Sequence, residues 1–217
     1  PEGIILEDDL LPCPDFFRFC SELLERFRDD ERVMEISGSN RLGQWGGGEA
    51  SYCFSQWGSE CGWATWRRAW RHFDYRIRAW TDPQARSVLR NVLRHPLRVA
   101  FLSRILDRTQ RDPAGVSWWD YQWSLAKMLH NGLAVVPATN LVHNVGCDPH
   151  SHHDRDASHT FSARHDPRGL AFPLRHPAKM SPDHDFDAAL LSRAMTLRRY
   201  LSSCVPGWIK QRLKRYI

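Results

Sequence analysis

The sequence predicts an α/β fold, a mixed sheet flanked by helices, from three observations along the chain. An apolar run of strand length, Ile4 to Leu6, opens it and leads into an acidic turn. Apolar residues then recur at helical spacing from Phe16 to Phe27, and residues 33–36 have the pattern of a short buried strand. This alternation of strand and helix is typical of an α/β sheet.

Composition predicts one globular domain of good size. The chain has 217 residues, 42% of them hydrophobic, and contains no apolar run near the roughly 20 residues of a membrane span. Its six cysteines form no C-x-x-C pair, so we expect reduced thiols in a cytoplasmic protein. The net charge of +5 comes almost entirely from arginine, a bias that codon usage explains better than a binding surface does. Phosphate-bearing partners remain compatible with this charge, and we predict no nucleic-acid partner.

The acidic turn Glu7-Asp8-Asp9 is the first candidate site. It follows a strand that we expect to be covered on both faces, and Pro12 and Pro14 should prevent further strand pairing. Open α/β sheets bind ligands beyond the carboxyl ends of their strands, and three adjacent carboxylates repel one another unless a cation lies between them. The turn therefore indicates a divalent-cation site, with a solvated acidic turn as the alternative.

The segment after Gly62 is rich in tryptophan. Trp63, Trp66 and Trp70 have the spacing of one helix face, so we expect a helix there with two of the three side chains in the core. Gly62 itself allows a close approach of the backbone. Aromatic clusters also line ligand sites, so this segment is a second candidate for binding.

A helix predicted over residues 118–130 contains the third candidate. Ser117 is its expected N-cap, and Gly132 lies where it should end. Asp120 falls in the first turn, where the helix dipole favours a carboxylate, and neighbours such as Trp119 would raise its pKa by desolvation. An acidic residue in a first turn is also ordinary helix design, so its role depends on what lies near it.

The remaining pattern adds helices over 83–94 and 96–110, a strand over 133–137, an extended arm over 166–186 and a helix over 186–200. Each of these segments reads as scaffold.

Two further segments have binding-type composition. His150, His152 and His153 lie in a tract rich in metal-ligand residues, so a zinc hydrolase is one hypothesis and a solvated loop the other. The basic, aromatic tail, residues 208–217, would suit a membrane surface or an anionic partner.

Three stretches together resemble bacterial nucleotide-sugar glycosyltransferases of the GT-A fold. They are Leu6-Glu7-Asp8-Asp9-Leu10 with Pro14-Asp15-Phe16-Phe17, Gly62-Trp63-Ala64-Thr65-Trp66-Arg67-Arg68, and Trp118-Trp119-Asp120-Tyr121-Gln122-Trp123. The first and third also resemble the N-acetylglucosaminyltransferase I group. The resemblance implies a GT-A-like (Rossmann-like) fold whose nucleotide-binding half would precede residue 1. Residues 1–165 would then be the C-terminal part of a glycosyltransferase domain, and residues 166–217 an arm with C-terminal helices.

The resemblance also implies roles for individual residues. Asp9 would hold Mn²⁺ or Mg²⁺ at the donor's diphosphate, while Glu7 and Asp8 would face the donor sugar and ribose. Asp120 would be the catalytic base of an inverting transfer. His159 would be a further ligand of the metal or the diphosphate.

The turn at Gly62 and Trp63, with Trp119, would shape the donor pocket. The implied donor is a nucleoside-diphosphate sugar, and the implied acceptor is a hydroxyl group of a glycan or a lipid-linked glycan. We expect a cytoplasmic protein that contacts the inner membrane peripherally through residues 208–217. Cys61 departs from the aromatic residue that the family would place before Gly62. The alternative function is a non-catalytic truncated domain that binds a glycan or a protein partner.

Overall fold

The structure is a computed structural model that describes residues 1–46, 49–115, 119–145, 166–197 and 200–201. The strands in these residues are β1 (Glu2–Ile5), β2 (Leu10–Pro12), β3 (Val33–Ser37), β4 (Tyr52–Ser55), β5 (Trp63–Trp66), β6 (Leu133–Pro137) and β7 (Val142–Asn144). The α-helices are α1 (Pro14–Arg26), α2 (Arg67–Trp70), α3 (Pro83–Leu93), α4 (Pro96–Arg111), α5 (Asp120–Leu129) and α6 (His184–Ala194).

Five strands form one mixed sheet in the order β1-β5-β3-β6-β4. β3 and β6 run parallel, and the other neighbouring pairs run antiparallel. β2 and β7 form a separate two-stranded antiparallel ribbon. The predicted α/β class, a mixed sheet with flanking helices, is confirmed at this level.

Helices cover both faces of the sheet. The apolar stripe of α1 is buried against one face, with side chains at helical spacing: Phe16, Phe19, Leu23 and Leu24. The other face packs against α3 to α6 through residues that include Trp80, Leu89, Leu102, Leu125, Val136 and Phe186. Helices α3 and α4 match the prediction closely, since each begins at a proline, the residue favoured in a first turn.

β1 lies at the edge of the sheet, which contradicts the expectation of a strand covered on both faces. It pairs with β5 on one side, and its Ile4 and Ile5 are only half-buried. Ile4 packs toward the α1 side and Ile5 toward the α5 side. The two isoleucines are therefore apolar because they contact the helices on opposite faces of the sheet, and both stay partly exposed because β1 is an edge strand.

The segment Trp63–Trp66 is strand β5, so the expected helix there was wrong. The helix α2 begins only at Arg67. Aromatic residues suit a pleated strand, and pairing with both β1 and β3 decides the conformation. Trp63 and Trp66 are core residues, whereas Trp70 is 39% exposed.

The β2–β7 ribbon holds the acidic turn in place. Leu10 lies opposite Asn144, and Pro12, which was expected to prevent pairing, ends the strand opposite Val142. Proline is tolerated at such a strand end because no further donor is needed there. The backbone N–H of Val145 also donates to the Asp9 carbonyl oxygen at 2.9 Å.

The arm adds to the core on the α1 side. Residues 166–181 contain no helix and no strand, but Leu174 is buried, and the Leu170 N–H donates to Asp15 Oδ2 at 2.9 Å. No helix in the described ranges is both long enough and apolar enough to cross a lipid bilayer. Ser117, residues 150–159 and the tail 208–217 lie outside the described residues, and their predictions stay predictions.

Candidate functional site

The Gly62 turn brings two of the three motifs together. Gly62 has a left-handed backbone, with φ of +66°, and a Cβ at this position would lie 2.8 Å from Val142 Cγ2 and 3.3 Å from Leu6 Cδ2. Its carbonyl oxygen accepts a hydrogen bond from the Gly38 N–H at 2.6 Å. The predicted close approach of the backbone is confirmed, and its partners are the neighbouring chain segments.

Aromatic rings connect this turn to the start of α5. The centroids of Trp63 and Trp119 are 5.6 Å apart, and those of Trp63 and Trp123 are 5.8 Å apart. Trp70 stacks on Phe73, with centroids 4.5 Å apart. Trp119 is only half-buried, so one side of this cluster reaches the surface beside Asp120.

The acidic turn faces the same place. Burial raises the pKa of Glu7 above its ordinary value, and the negative charges of Asp9, Asp120 and Asp8 raise it further. Glu7 and Asp8 are exposed, while Asp9 is half-buried. The turn therefore lies close enough to the first turn of α5 for its carboxylates to repel Asp120, which is the condition that a bound cation relieves.

Asp120 is the first residue of α5, with Trp119 at the N-cap position. Its Oδ1 atom is buried and lacks a hydrogen-bond partner within the described residues. Burial raises the pKa of Asp120 above its ordinary value, against the opposing effects of the Arg41 charge and the Tyr121 backbone N–H. The carboxyl group is therefore a stronger base than an exposed aspartate.

Behind these motifs lies a buried ionic network that sequence reasoning missed. The side chains of Glu35 and Lys127 are fully buried and form an ion pair. Lys127 Nζ also donates to the Trp57 carbonyl oxygen at 2.5 Å. Glu35 accepts from Trp123 Nε1 at 2.9 Å and from Ser37 Oγ at 2.6 Å, so both of its oxygens are hydrogen-bonded.

Two local features turn Glu35 toward α5. The pairing of β3 with β6 shifts register between Val33 and Glu35, and such irregularities re-aim a side chain. Gly58 provides the space, because a Cβ there would lie only 2.3 Å from Glu35 Oε1. The sequence signal that could have indicated this ion pair is a charged residue within an apolar pattern. Glu35 has such a position in strand β3, and Lys127 has one on the apolar face of helix α5.

The loop between β4 and β5 adds Glu60 to this network. Its side chain is 10% exposed, and Oε1 lies 3.5 Å from Lys127 Nζ. Burial raises the pKa of Glu60 to about 7, Lys127 opposes this rise, and the charges of Glu35 and Asp120 reinforce it. Arg41 approaches from the loop after β3, where its Nε donates to Ser59 Oγ at 3.1 Å.

Glu60→Gln is expected to remove part of the pH dependence of folding stability. The folded carboxyl keeps its proton up to about pH 7, whereas an unfolded glutamate loses it near its ordinary pKa of 4.5. The wild-type chain therefore loses stability as pH rises from about 4.5 to 7, by a contribution on the order of 3 kcal/mol. Urea unfolding at pH 5 and pH 8 measures this.

The glutamine variant should gain stability relative to wild type between these two pH values. The surface variant Glu31→Gln, whose side chain is 79% exposed, should show no such gain. Parallel pH profiles for wild type and Glu60→Gln would contradict the assignment.

The described residues hold no group of three or more His, Cys, Asp or Glu side chains arranged around a metal position. Mg²⁺ sites, however, commonly use only one or two carboxylates and complete the shell with substrate phosphates and water. Asp9 Oδ1 and Asn144 Oδ1 are buried oxygens without partners in the described residues, on neighbouring segments of the β2–β7 ribbon. Each of these atoms is the type of oxygen donor that Mn²⁺ or Mg²⁺ takes, while His159 lies outside the described residues.

A comparison with models of known protein families gives no match for this sequence, and a search of curated proteins gives none either.

Proposed function

We propose that the chain is part of a metal-dependent glycosyltransferase that moves a sugar from a nucleoside-diphosphate donor to an acceptor hydroxyl group with inversion. The observation that carries the proposal is the convergence of three distant motifs. The turn at Glu7 to Asp9, the turn at Gly62 and the first turn of α5 at Asp120 meet at one place. Each motif alone has a purely structural explanation. An acidic turn with only a structural role, however, would not be expected beside a second, partly desolvated carboxylate, because the negative charges repel one another.

Asp120 is the catalytic base in this proposal. Its half-buried carboxylate takes the proton of the acceptor hydroxyl as the acceptor oxygen attacks the anomeric carbon. The new bond from carbon to the acceptor oxygen forms on the face opposite the leaving group. The bond from carbon to the diphosphate oxygen breaks, and the diphosphate leaves with the electron pair.

Asp9, with Asn144 as a second oxygen donor, would hold the Mn²⁺ or Mg²⁺ ion. A bound divalent ion supplies charge stabilisation for the leaving diphosphate. The exposed carboxylates of Glu7 and Asp8 are free to accept hydrogen bonds from hydroxyl groups of the donor sugar and ribose. The rings of Trp63 and Trp119 form an aromatic wall between the Gly62 turn and Asp120.

Calorimetric titration of the full-length protein with UDP tests the metal assignment. We expect saturable binding with Mn²⁺ present and at least about tenfold weaker binding after chelation, because the ion that Asp9 would hold would supply positive charge for the diphosphate. Asp9→Asn should weaken metal-dependent binding to a similar extent, and Glu31→Gln should leave it unchanged.

UDP binding of equal affinity with and without metal would contradict the assignment of a metal ion to this site. No binding of UDP, GDP or dTDP under any of these conditions would favour the non-catalytic alternative, a domain that binds a glycan or a protein.

A further inference from the structure

Several buried polar atoms near Asp120 lack partners among the residues that the structure describes. Glu60 Oε1 and Asp120 Oδ1 are unpartnered acceptors, and Trp63 Nε1 is an unpartnered donor. Buried polar groups are almost always hydrogen-bonded, so a group of them at one place calls for an explanation. A ligand that carries both donors and acceptors supplies it.

Glu60 is not required by the network that surrounds it. Lys127 already has the buried carboxylate of Glu35 and the Trp57 carbonyl oxygen as acceptors. Glu60 Oε1 lies at 3.5 Å from Lys127 Nζ and makes no hydrogen bond. Glu60 is therefore a second carboxyl group beside one ammonium, and its Oε1 faces that ammonium without a hydrogen bond.

Arg41 contributes donors to the same place. Its Nε is fixed by Ser59 Oγ, which in turn contacts Ser39 Oγ at 2.7 Å. The hydrogen bond to Ser59 uses only this nitrogen of the guanidinium group. The Arg41 charge acts on both Glu60 and Asp120, so the guanidinium lies near both carboxyl groups. A guanidinium held at one nitrogen is pre-organised to donate from the others.

The local charge balance selects the kind of ligand. Glu35 and Lys127 neutralise each other, and the single charge of Arg41 faces Asp120 and Glu60. The place has no excess positive charge to attract a phosphate or a carboxylate. A neutral group with adjacent hydroxyls can donate to the carboxyl oxygens and accept from the guanidinium, and the Trp119 ring provides an apolar surface beside it.

We propose that Glu60 and Arg41 bind the acceptor, and that the acceptor presents a neutral vicinal diol of a sugar ring at this place. Glu60 Oε1 accepts a hydrogen bond from the hydroxyl next to the one that Asp120 deprotonates, and Arg41 donates to the oxygen atoms of the same pair. This rests on the proposed function, of which it names the acceptor class and two residues that determine specificity.

The test measures acceptor kinetics of the full-length protein with a nucleotide-sugar donor that it cleaves. Methyl glycosides of galactose, glucose and mannose are the neutral acceptors, and farnesyl phosphate is the anionic one. At pH 8, where Glu60 is ionised, Glu60→Gln should raise KM for the best glycoside roughly ten- to hundredfold, the effect of losing one hydrogen bond to a charged group. The matched surface variant Glu31→Gln, whose side chain is 79% exposed, should leave both the KM of the donor and the rate of donor hydrolysis unchanged.

Deoxy analogues of the best glycoside separate binding from a structural role. An analogue that lacks the neighbouring hydroxyl should react equally poorly with wild type and Glu60→Gln, so the two losses do not add. Arg41→Gln should show the same pattern, and Glu31→Gln should behave as wild type. Additive losses, or an unchanged KM in Glu60→Gln, would overturn the assignment.

Tryptophan fluorescence, titrated with the same glycosides, reports binding without turnover. One outcome is a protein that cleaves the donor, binds no glycoside and uses farnesyl phosphate as acceptor. This result would overturn the proposal of a sugar acceptor but would remain consistent with the proposed glycosyltransferase activity. Another outcome is a protein that cleaves no nucleotide sugar but binds glycosides more weakly after Glu60→Gln. This result would support the glycoside-binding site and contradict the proposed glycosyltransferase activity.

Discussion

Asp120→Asn is expected to lower the transfer rate by at least about a hundredfold and up to ten-thousandfold, the usual contribution of a positioned general base. Asparagine keeps the shape of the side chain and its place in the first turn of α5 but cannot accept the acceptor's proton. The variant should bind a nucleoside diphosphate with Mn²⁺ as tightly as wild type, or more tightly, since one negative charge has been removed beside Glu7.

Initial rates with saturating donor, together with the calorimetric affinity of Asp120→Asn for UDP, check this expectation. Asp107→Asn is a control: Asp107 accepts a hydrogen bond from Trp80 Nε1 at 2.8 Å on the α4 side, away from the three motifs. A fully active Asp120→Asn enzyme would sink the assignment of the base. A variant that has lost both transfer and UDP binding would instead indicate that Asp120 holds the donor.

Lys127→Met is expected to lower the free energy of unfolding by about 3–5 kcal/mol. The substitution removes the ammonium that pairs with the buried Glu35 carboxylate, and it leaves Glu60 beside Glu35 with only Arg41 nearby to oppose its charge. A loss of this size is a large part of the 5–15 kcal/mol that usually separates folded from unfolded domains. Urea unfolding followed by tryptophan fluorescence measures it.

The double variant Glu35→Gln/Lys127→Met provides the decisive comparison. It removes both charges, so it should be more stable than Lys127→Met alone, with a coupling on the order of 1–3 kcal/mol. Lys179→Met, at an exposed position of the arm, should change stability by less than about 0.5 kcal/mol. A double variant no more stable than Lys127→Met would contradict the ion pair as the source of the loss.

The regular parts of the fold were predictable because local pattern and tertiary environment agree there. The stripe on α1 and the prolines that open α3 and α4 belong to this group, as does the buried strand β6. The segment Trp63–Trp66 was not, because its aromatic residues suit a helix face and a pleated strand equally well. Its two neighbouring strands, which come from distant parts of the sequence, decide the outcome.

The residues of the candidate site likewise include some that the sequence predicts and some that it does not. Asp9, Gly62 and Asp120 could be selected from motif order alone, and the structure brings their segments together. The buried ionic network could not be predicted, because a charged residue in a strand or helix pattern usually lies on the surface. Its members are Glu35, Lys127, Glu60 and Arg41. Only the register shift in β3 and the space above Gly58 make a buried position for Glu35 possible. Neither feature has a sequence pattern that predicts it.

The central claim is tested most directly by nucleotide-sugar turnover in the full-length protein. The measurement is nucleoside-diphosphate release from a panel of UDP-, GDP- and dTDP-sugars, with Mn²⁺, with Mg²⁺ and with EDTA. We predict that at least one donor is cleaved, that EDTA abolishes cleavage and that Mn²⁺ or Mg²⁺ restores it. Asp9→Asn should be inactive in the same assay. Absence of cleavage across the panel with either metal, or cleavage that persists in EDTA, would contradict a metal-dependent glycosyltransferase.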